Sequence, residues 1–235
     1  MQKDGDVRTA VRKGLDYALE ARLAPHYERH LVDECGYRTP DEIAAALAEC
    51  GSIAPTGGAA TLRARNETPL WLDIGAGTGL VGKAFDRHGL AVELVALDLS
   101  PAMLGLIDCP RYVGRTCADA AGVLPFADES FDGVLAAGLL EHVLDPEPLF
   151  RNAARVLRRG GGFAFTFPPN DHGRTELLGT DEGLVSHDPA AIRASLFSLG
   201  LSVTRELDYP AYAIGSRGWV THHLVLGFEA AHTSK

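Results

Sequence analysis

The apolar positions of this chain change rhythm about a quarter of the way along it. From Val7 to His30 they recur at helical spacing through Val11, Leu15, Ala18, Leu19 and Leu23, and Asp41 to Cys50 repeats the spacing with Ile43, Ala46 and Leu47. Two helices are predicted there. Ile53 to Pro69 holds Pro55, Thr56, Gly57 and Gly58 without periodicity and reads as a connector. Beyond Pro69 short apolar runs alternate with helical stretches, the signature of a parallel sheet covered on both faces. The predicted strands are Leu70 to Ile74, Val92 to Asp98, Tyr112 to Cys117, Phe131 to Ala137 and Phe163 to Phe167. Between them fall helices at Leu80 to His88, Pro101 to Ile107 and Glu147 to Arg158, the last closed by Gly160, Gly161 and Gly162 as a C-terminal cap. Asp188 then N-caps a helix that has Pro189 in its first position and stops at Gly200. Leu201 to Leu207 and Trp219 to Phe228 are the final strands, joined by a turn-rich connection. Residues 1–66 therefore read as a helical cap and connector, and residues 67–235 as one α/β core.

Composition narrows the picture. At 235 residues with 46% hydrophobic content the chain can bury one substantial core, and two full domains would be cramped. The formal net charge is -9 and the longest basic run is Arg158-Arg159, too little to hold a phosphate backbone, so nucleic acid is not expected as a partner. No apolar stretch approaches a membrane span, and Met1 to Asp6 lacks the apolar core of a signal peptide; a cytoplasmic protein without membrane contact is expected, as a monomer or homodimer. Cys35, Cys50, Cys109 and Cys117 are scattered, with no two-residue spacing that would place two thiolates on one zinc. His222 and His223 sit in an alternating segment where neighbouring side chains face opposite ways, so they do not share a metal.

The chemistry concentrates where strands end. In Asp73-Ile74-Gly75-Ala76-Gly77-Thr78-Gly79 the glycines follow a strand and open a helix, a place where the backbone must turn sharply and approach a ligand closely. The dinucleotide fingerprint wants its third glycine one position later, where this chain has Leu80, which argues against a Rossmann oxidoreductase. Asp73 would sit badly beside a pyrophosphate and well beside an ammonium. S-adenosylmethionine (SAM) carries such an ammonium, together with a carboxylate that free amides at a helix start can bind. Asp98, at the end of the second strand, is placed to accept the ribose hydroxyls. Leu99 and Met103 follow, the flexible Met103 thioether being able to cover an adenine face. Asp119 and Ala120 leave the third strand, where a carboxylate can accept the adenine amine, and Gly138 leaves the fourth.

Residues Leu70 to Phe167 resemble the class I SAM-dependent methyltransferases, in particular the broad small-molecule, type 11-like group. Asp73 to Gly79 matches its aspartate-x-glycine-x-glycine-x-glycine pattern and Asp98 to Met103 its aspartate-x-serine-x-x-methionine pattern; Leu124 to Asp132 and Arg155 to Gly162 are similar to that group as well. The resemblance implies a Rossmann-like, doubly wound sheet of seven strands with the last antiparallel, SAM as cofactor, S-adenosylhomocysteine (SAH) as product, and Gly75, Gly77, Thr78 and Gly79 as part of the cofactor cradle. His26 to Pro40 looks like the lead-in of the Williams-Beuren-region methyltransferase family, with Tyr27-Glu28 where that family has tyrosine-aspartate, and this places the N-terminal helices over the SAM pocket.

A sulfonium methyl is already electrophilic, so the protein must chiefly exclude water and align an O or N acceptor of a small molecule; such positioning is worth about 7–11 kcal/mol. Where a base is useful, His142 at the exit of the fourth strand is the candidate, ahead of its neighbour Glu141. Pro168 to His187 is too long for a simple connection and is read as an acceptor loop contributing His172 and His187, with Tyr27, Tyr209 and Tyr212 lining the same space. The competing class is a noncatalytic SAM-binding subunit.

Overall fold

The computed structural model describes residues 24–50, 68–178, 183–213 and 218–229. The expected helix from Val7 lies mostly outside them, as do most of the connector and the boundary at residue 67. Helix α1 (Ala24–Glu28) runs into a wider π-turn at Arg29–Glu34, and α2 spans Thr39–Glu49 with Pro40 in its first turn. The core follows as β1 (Leu70–Ile74), α3 (Leu80–Arg87), β2 (Glu93–Asp98), α4 (Pro101–Gly105), β3 (Tyr112–Cys117), β4 (Phe131–Ala136), α5 (Glu147–Val156) and β5 (Leu157–Phe167). A two-stranded pair, β6 (Glu176–Leu177) and β7 (Val185–Ser186), precedes α6 (Pro189–Ser198), β8 (Leu201–Ala213) and β9 (Trp219–Glu229).

Seven strands form one sheet in the order β3-β2-β1-β4-β5-β9-β8. The first five pair in parallel, and β9 is antiparallel to both β5 and β8. The seven-stranded sheet with its last strand antiparallel is therefore as the resemblance implied. Alternation along each strand divides the core between the two faces. Trp71, Leu94, Ala96, Leu135 and Leu224 pack with Ile43 and Leu47 of α2 and Val81 and Phe85 of α3. Leu72, Ile74, Val134, Phe163, Phe165 and Val225 pack with Phe150 of α5 and Leu196 of α6. Gly133 lies directly opposite Trp71 on the paired strand, and a Cβ there would come within 2.2 Å of the indole.

Three expectations need correction. Helix α5 ends at Val156, and Gly160 to Gly162 belong to β5 instead of capping a helix. Phe131 faces Leu157 and Gly133 faces Gly162, so Arg158 to Gly161 oppose the single residue Asp132. The excursion is held by the Arg158 guanidinium, which donates to Asp132 Oδ1 at 2.8 Å. Strand β8 continues past Leu207 to Ala213, replacing most of the turn-rich connection, with Ala211 as the extra residue between Pro210 and Tyr212. That bulge changes which side chains share a face. Tyr209 and Tyr212 both reach His222, with ring centroids at 6.1 and 5.4 Å. Finally, the segment from Pro168 to His187 has structure of its own: the β6–β7 pair, and a bridge between Pro169 and His187.

Candidate functional site

The site is built at the carboxyl ends of β1, β2 and β4, where open α/β sheets hold ligands. After β1 the chain turns through Gly75, Gly77 and Gly79, all at positive φ. Gly77 stands at φ 53, and its N–H donates to Asp98 Oδ2 at 2.8 Å. The other Asp98 oxygen accepts from the Ser100 N–H at 2.8 Å, which fixes the carboxylate at the tip of β2. Ser100 in turn caps α4 by accepting from the Met103 N–H. Helix α3 opens directly from Gly79, so its first-turn amides have no acceptor within the helix.

Asp73 is 1% exposed. Its Oδ2 accepts from the Tyr112 hydroxyl at 2.6 Å, while that hydroxyl accepts from the Gly82 N–H at 3.3 Å. Its Oδ1 has no partner. Burial pushes the Asp73 carboxyl up to about 7, with the Tyr112 bond opposing and the Asp98 charge adding to the rise. A cation beside Oδ1 would favour the ionised form. The affinity for a ligand bringing an ammonium there should therefore rise about tenfold between pH 6 and pH 8, as Asp73 loses its proton. Calorimetric titration of SAH across that range checks this, and Asp73→Asn should flatten the profile.

The other residues expected at the cofactor sit in different settings. Thr78 is 2% exposed and its hydroxyl is unpartnered. Leu99 is an exposed leucine beside Asp98, whereas Met103 is buried at 4% exposure, so Leu99 is the freer of the two to meet a ring. Asp119 is exposed and folds back to accept from the Ala121 N–H at 2.8 Å, with Ala120 half-buried next to it. The Gly138 N–H donates to Thr166 Oγ1 at 3.0 Å, and the Tyr37 hydroxyl occupies the space a Gly138 Cβ would need.

On the far side of the turn, Tyr27 comes within 4.0 Å of where a Gly77 side chain would start. Its phenol is pushed up by burial and by the charges of Glu141 and Asp98. The N-terminal segment thus covers the glycine turn, latched by Lys83, which donates to both Glu28 oxygens at 3.0 Å. His142 lies on a single 3-10 turn, Leu140–His142, not at the start of a helix, and its Nδ1 is buried without a partner. His187 is buried with both ring nitrogens engaged, by Thr175 Oγ1 and by the Leu140 carbonyl, each at 2.9 Å; it clamps the β6–β7 segment to the Leu140 turn. His172 is exposed and pairs with Asp171 and Glu176.

The sequence ranked Glu141 below His142, and the structure shows why Glu141 stands out. It is 6% exposed, and its Oε2 accepts from the Tyr212 hydroxyl at 2.9 Å and from His222 Nε2 at 2.8 Å. Thr39 and Tyr209 extend this network. His222 and His223 do face opposite ways: His223 meets Asp208 and Glu206. Among the described residues no group of acidic, histidine and cysteine side chains could hold a metal, and no helix is long and apolar enough to cross a membrane.

A profile of the family described as "Methyltransferase domain" matches residues 72–165, which contain the glycine turn, Asp98 and Glu141. Residues 72–165 are thus similar to a class I SAM-dependent methyltransferase domain. The demethylmenaquinone methyltransferase of Tropheryma whipplei is 40% identical over 92 residues, 38% of each protein. The ubiquinone biosynthesis O-methyltransferase of Idiomarina loihiensis is 31% identical over 98 residues, 40% of each protein. The match thus spans about two fifths of these curated relatives. Among solved structures, the Burkholderia thailandensis 1,6-didemethyltoxoflavin-N1-methyltransferase with bound 1,6-didemethyltoxoflavin and SAH superposes with a TM-score of 0.55 at 19% identity, over 74% of this chain and 76% of that one. A SAM-dependent methyltransferase of Methanosarcina mazei gives 0.57 at 16% identity, over 71% and 94%. The methyltransferase domain is therefore the part of the chain that both kinds of likeness share.

Proposed function

We propose that this methyltransferase domain transfers the methyl group of SAM to an O or N atom of a small molecule, by in-line displacement governed mainly by proximity and orientation. One observation supports this best. Four buried polar side-chain atoms among the described residues lack a partner, and three of them, Asp73 Oδ1, Thr78 Oγ1 and His142 Nδ1, belong to the expected site. Buried polar atoms are normally satisfied, and orphans concentrated at one place mark where a ligand completes the bonding. The residues fit SAM. Asp73 would take the ammonium, the Gly75–Gly79 turn and the start of α3 the carboxylate, Asp98 the ribose hydroxyls, and Leu99, Met103, Asp119 and Ala120 the adenine, with Gly138 beside the methionine end.

When bound, SAM supplies an electrophilic methyl on a sulfonium; the chain's own part is to hold and orient. Tyr27 beside the turn and Tyr37 beside Gly138 would close the site and exclude water, which strengthens the fixed dipoles inside. His142, with its Nδ1 buried and unpartnered at the exit of β4, is the candidate general base. The acceptors named for the relatives, quinone precursors, make a small molecule the natural class here. His142→Ala should leave SAH affinity within about tenfold, at most 1.4 kcal/mol, while lowering turnover of the acceptor. Equal turnover in both proteins would make His142 structural.

A further inference from the structure

The network behind Glu141 has a direction. The Tyr209 hydroxyl donates to Thr39 Oγ1 at 2.9 Å, which leaves the Thr39 proton for His222 Nδ1 at 3.5 Å and the His222 Nε2 proton for Glu141 Oε2. Tyr212 donates to the same oxygen. Two donors therefore hold Oε2 from behind, and Oε1 is left toward His142, whose Nε2 is 3.8 Å away. Burial alone would push the Glu141 carboxyl up; contacts with His222, His142 and Tyr212 more than offset it and hold the group below the ordinary carboxylate range. It stays ionised at neutral pH. The phenols of Tyr37 and Tyr212 are pushed up by burial and by the Glu141 charge, as is Tyr27, and the Tyr37 and Tyr212 rings lie 6.1 Å apart. The Glu141 anion thus meets the neutral Tyr212 phenol directly, with the Tyr37 ring packed behind that of Tyr212.

The charge count around it is lopsided. Asp73, Asp98 and Glu141 line one site; among the described residues no lysine or arginine pairs with any of them, and the basic groups beside Glu141 are the imidazoles of His222 and His142. SAM brings a sulfonium and an ammonium against one carboxylate, a net charge of one positive unit for three acidic groups. An acceptor that entered as an anion would worsen the imbalance, and one that entered as a cation would relieve it. A buried carboxylate whose Oε2 is already held by two donors and whose Oε1 accepts no hydrogen bond among the described residues is the chemistry that recognises an ammonium N–H.

Resting on the methyltransferase reading above, we infer that Glu141 is the acceptor-binding carboxylate of this domain, positioned by His222 and Tyr212, and that the acceptor is a basic amine held through an N–H donated to Glu141. Thr39, Tyr209, Tyr212 and His222, which hold Glu141 in place, all lie outside residues 72–165. The amine binds as its ammonium and loses one proton to the His142 imidazole. Its nitrogen lone pair forms the new N–C bond as the C–S bond of SAM breaks, and that electron pair leaves with the sulfur, giving the thioether of SAH. The product keeps a positive charge as an N-methylated ammonium.

The test uses the full chain, methyl-deuterated SAM and the small-molecule fraction of a bacterial lysate, with the labelled product found by mass spectrometry and its charge read by electrophoresis at about pH 5, where aliphatic amines are cationic. The labelled product should migrate as a cation. With that acceptor in hand, Glu141→Gln should raise its KM, and weaken its calorimetric affinity for the SAH-bound protein, by at least about tenfold, with SAH affinity unchanged within about threefold. Tyr212→Phe, which removes one of the two donors to Oε2, should shift the same two quantities severalfold and serves if the first variant does not fold. A neutral or anionic labelled product, or an acceptor that binds Glu141→Gln as tightly as the wild type, overturns the inference while leaving the methyltransferase reading standing. A protein that binds SAH and labels nothing contradicts both.

Discussion

Replacing Gly77 with valine should abolish measurable binding of SAM and SAH, a loss of at least about a hundredfold, with the fold retained. Gly77 stands at φ 53, where a β-branched residue is a genuine outlier. The turn would have to change shape, and its N–H would then lose the Asp98 oxygen that it holds at 2.8 Å. The new side chain would also start only 4.0 Å from the Tyr27 ring, in the space between turn and cover. Nothing in the two core clusters depends on Gly77, so circular dichroism and the unfolding transition should change little. Calorimetric titration with SAH is the check; wild-type affinity in the variant would show that the turn is not the cofactor cradle.

The largest effect on stability is expected at Gly133, far from any chemistry. Gly133 pairs with Trp71 across β4 and β1, and a Cβ there would approach the indole Cδ2 and Cε2 at 2.2 Å. Trp71 is 1% exposed and packed in the core, so its ring has nowhere to move. Gly133→Ala should destabilise the fold at the upper end of the overpacking range, about 3 kcal/mol, measured as a fall in the urea midpoint at unchanged slope. An effect under about 1 kcal/mol would mean that the sheet can relax around the tryptophan.

Much of the architecture was legible because each strand of the first half carries its own period and its own stop signal. Leu70–Ile74, Tyr112–Cys117 and the Asp188 cap with Pro189 stand where the pattern puts them. The errors share a cause. Gly160 to Gly162 look like a helix cap locally, and only pairing with Gly133 and Phe131 makes them part of a strand. The extension of β8 depends on β9, with Tyr209 facing His222 and Tyr212 facing Val220 across a bulge that no local rule announces. The places of Asp73 and Asp98 near the carboxyl ends of β1 and β2 were legible because each stands at a fixed distance from a turn. The Glu141 network was not, since its bonds join residues 81, 71, 183 and 170 positions apart. The two partners of His187, Thr175 and the Leu140 carbonyl, were likewise out of reach of any local rule.

The central claim is that the turn after β1 and the carboxylate after β2 bind an amino-acid-bearing nucleoside and not a pyrophosphate. Isothermal titration of the purified full chain with SAH and, separately, with NAD tests it most directly. SAH should bind and NAD should not, and Asp98→Ala, which removes charge-assisted bonds to the ribose, should weaken SAH by about 1.5–3 kcal/mol. Binding of NAD at comparable affinity, or an SAH affinity that Asp98→Ala leaves unchanged, would contradict the account.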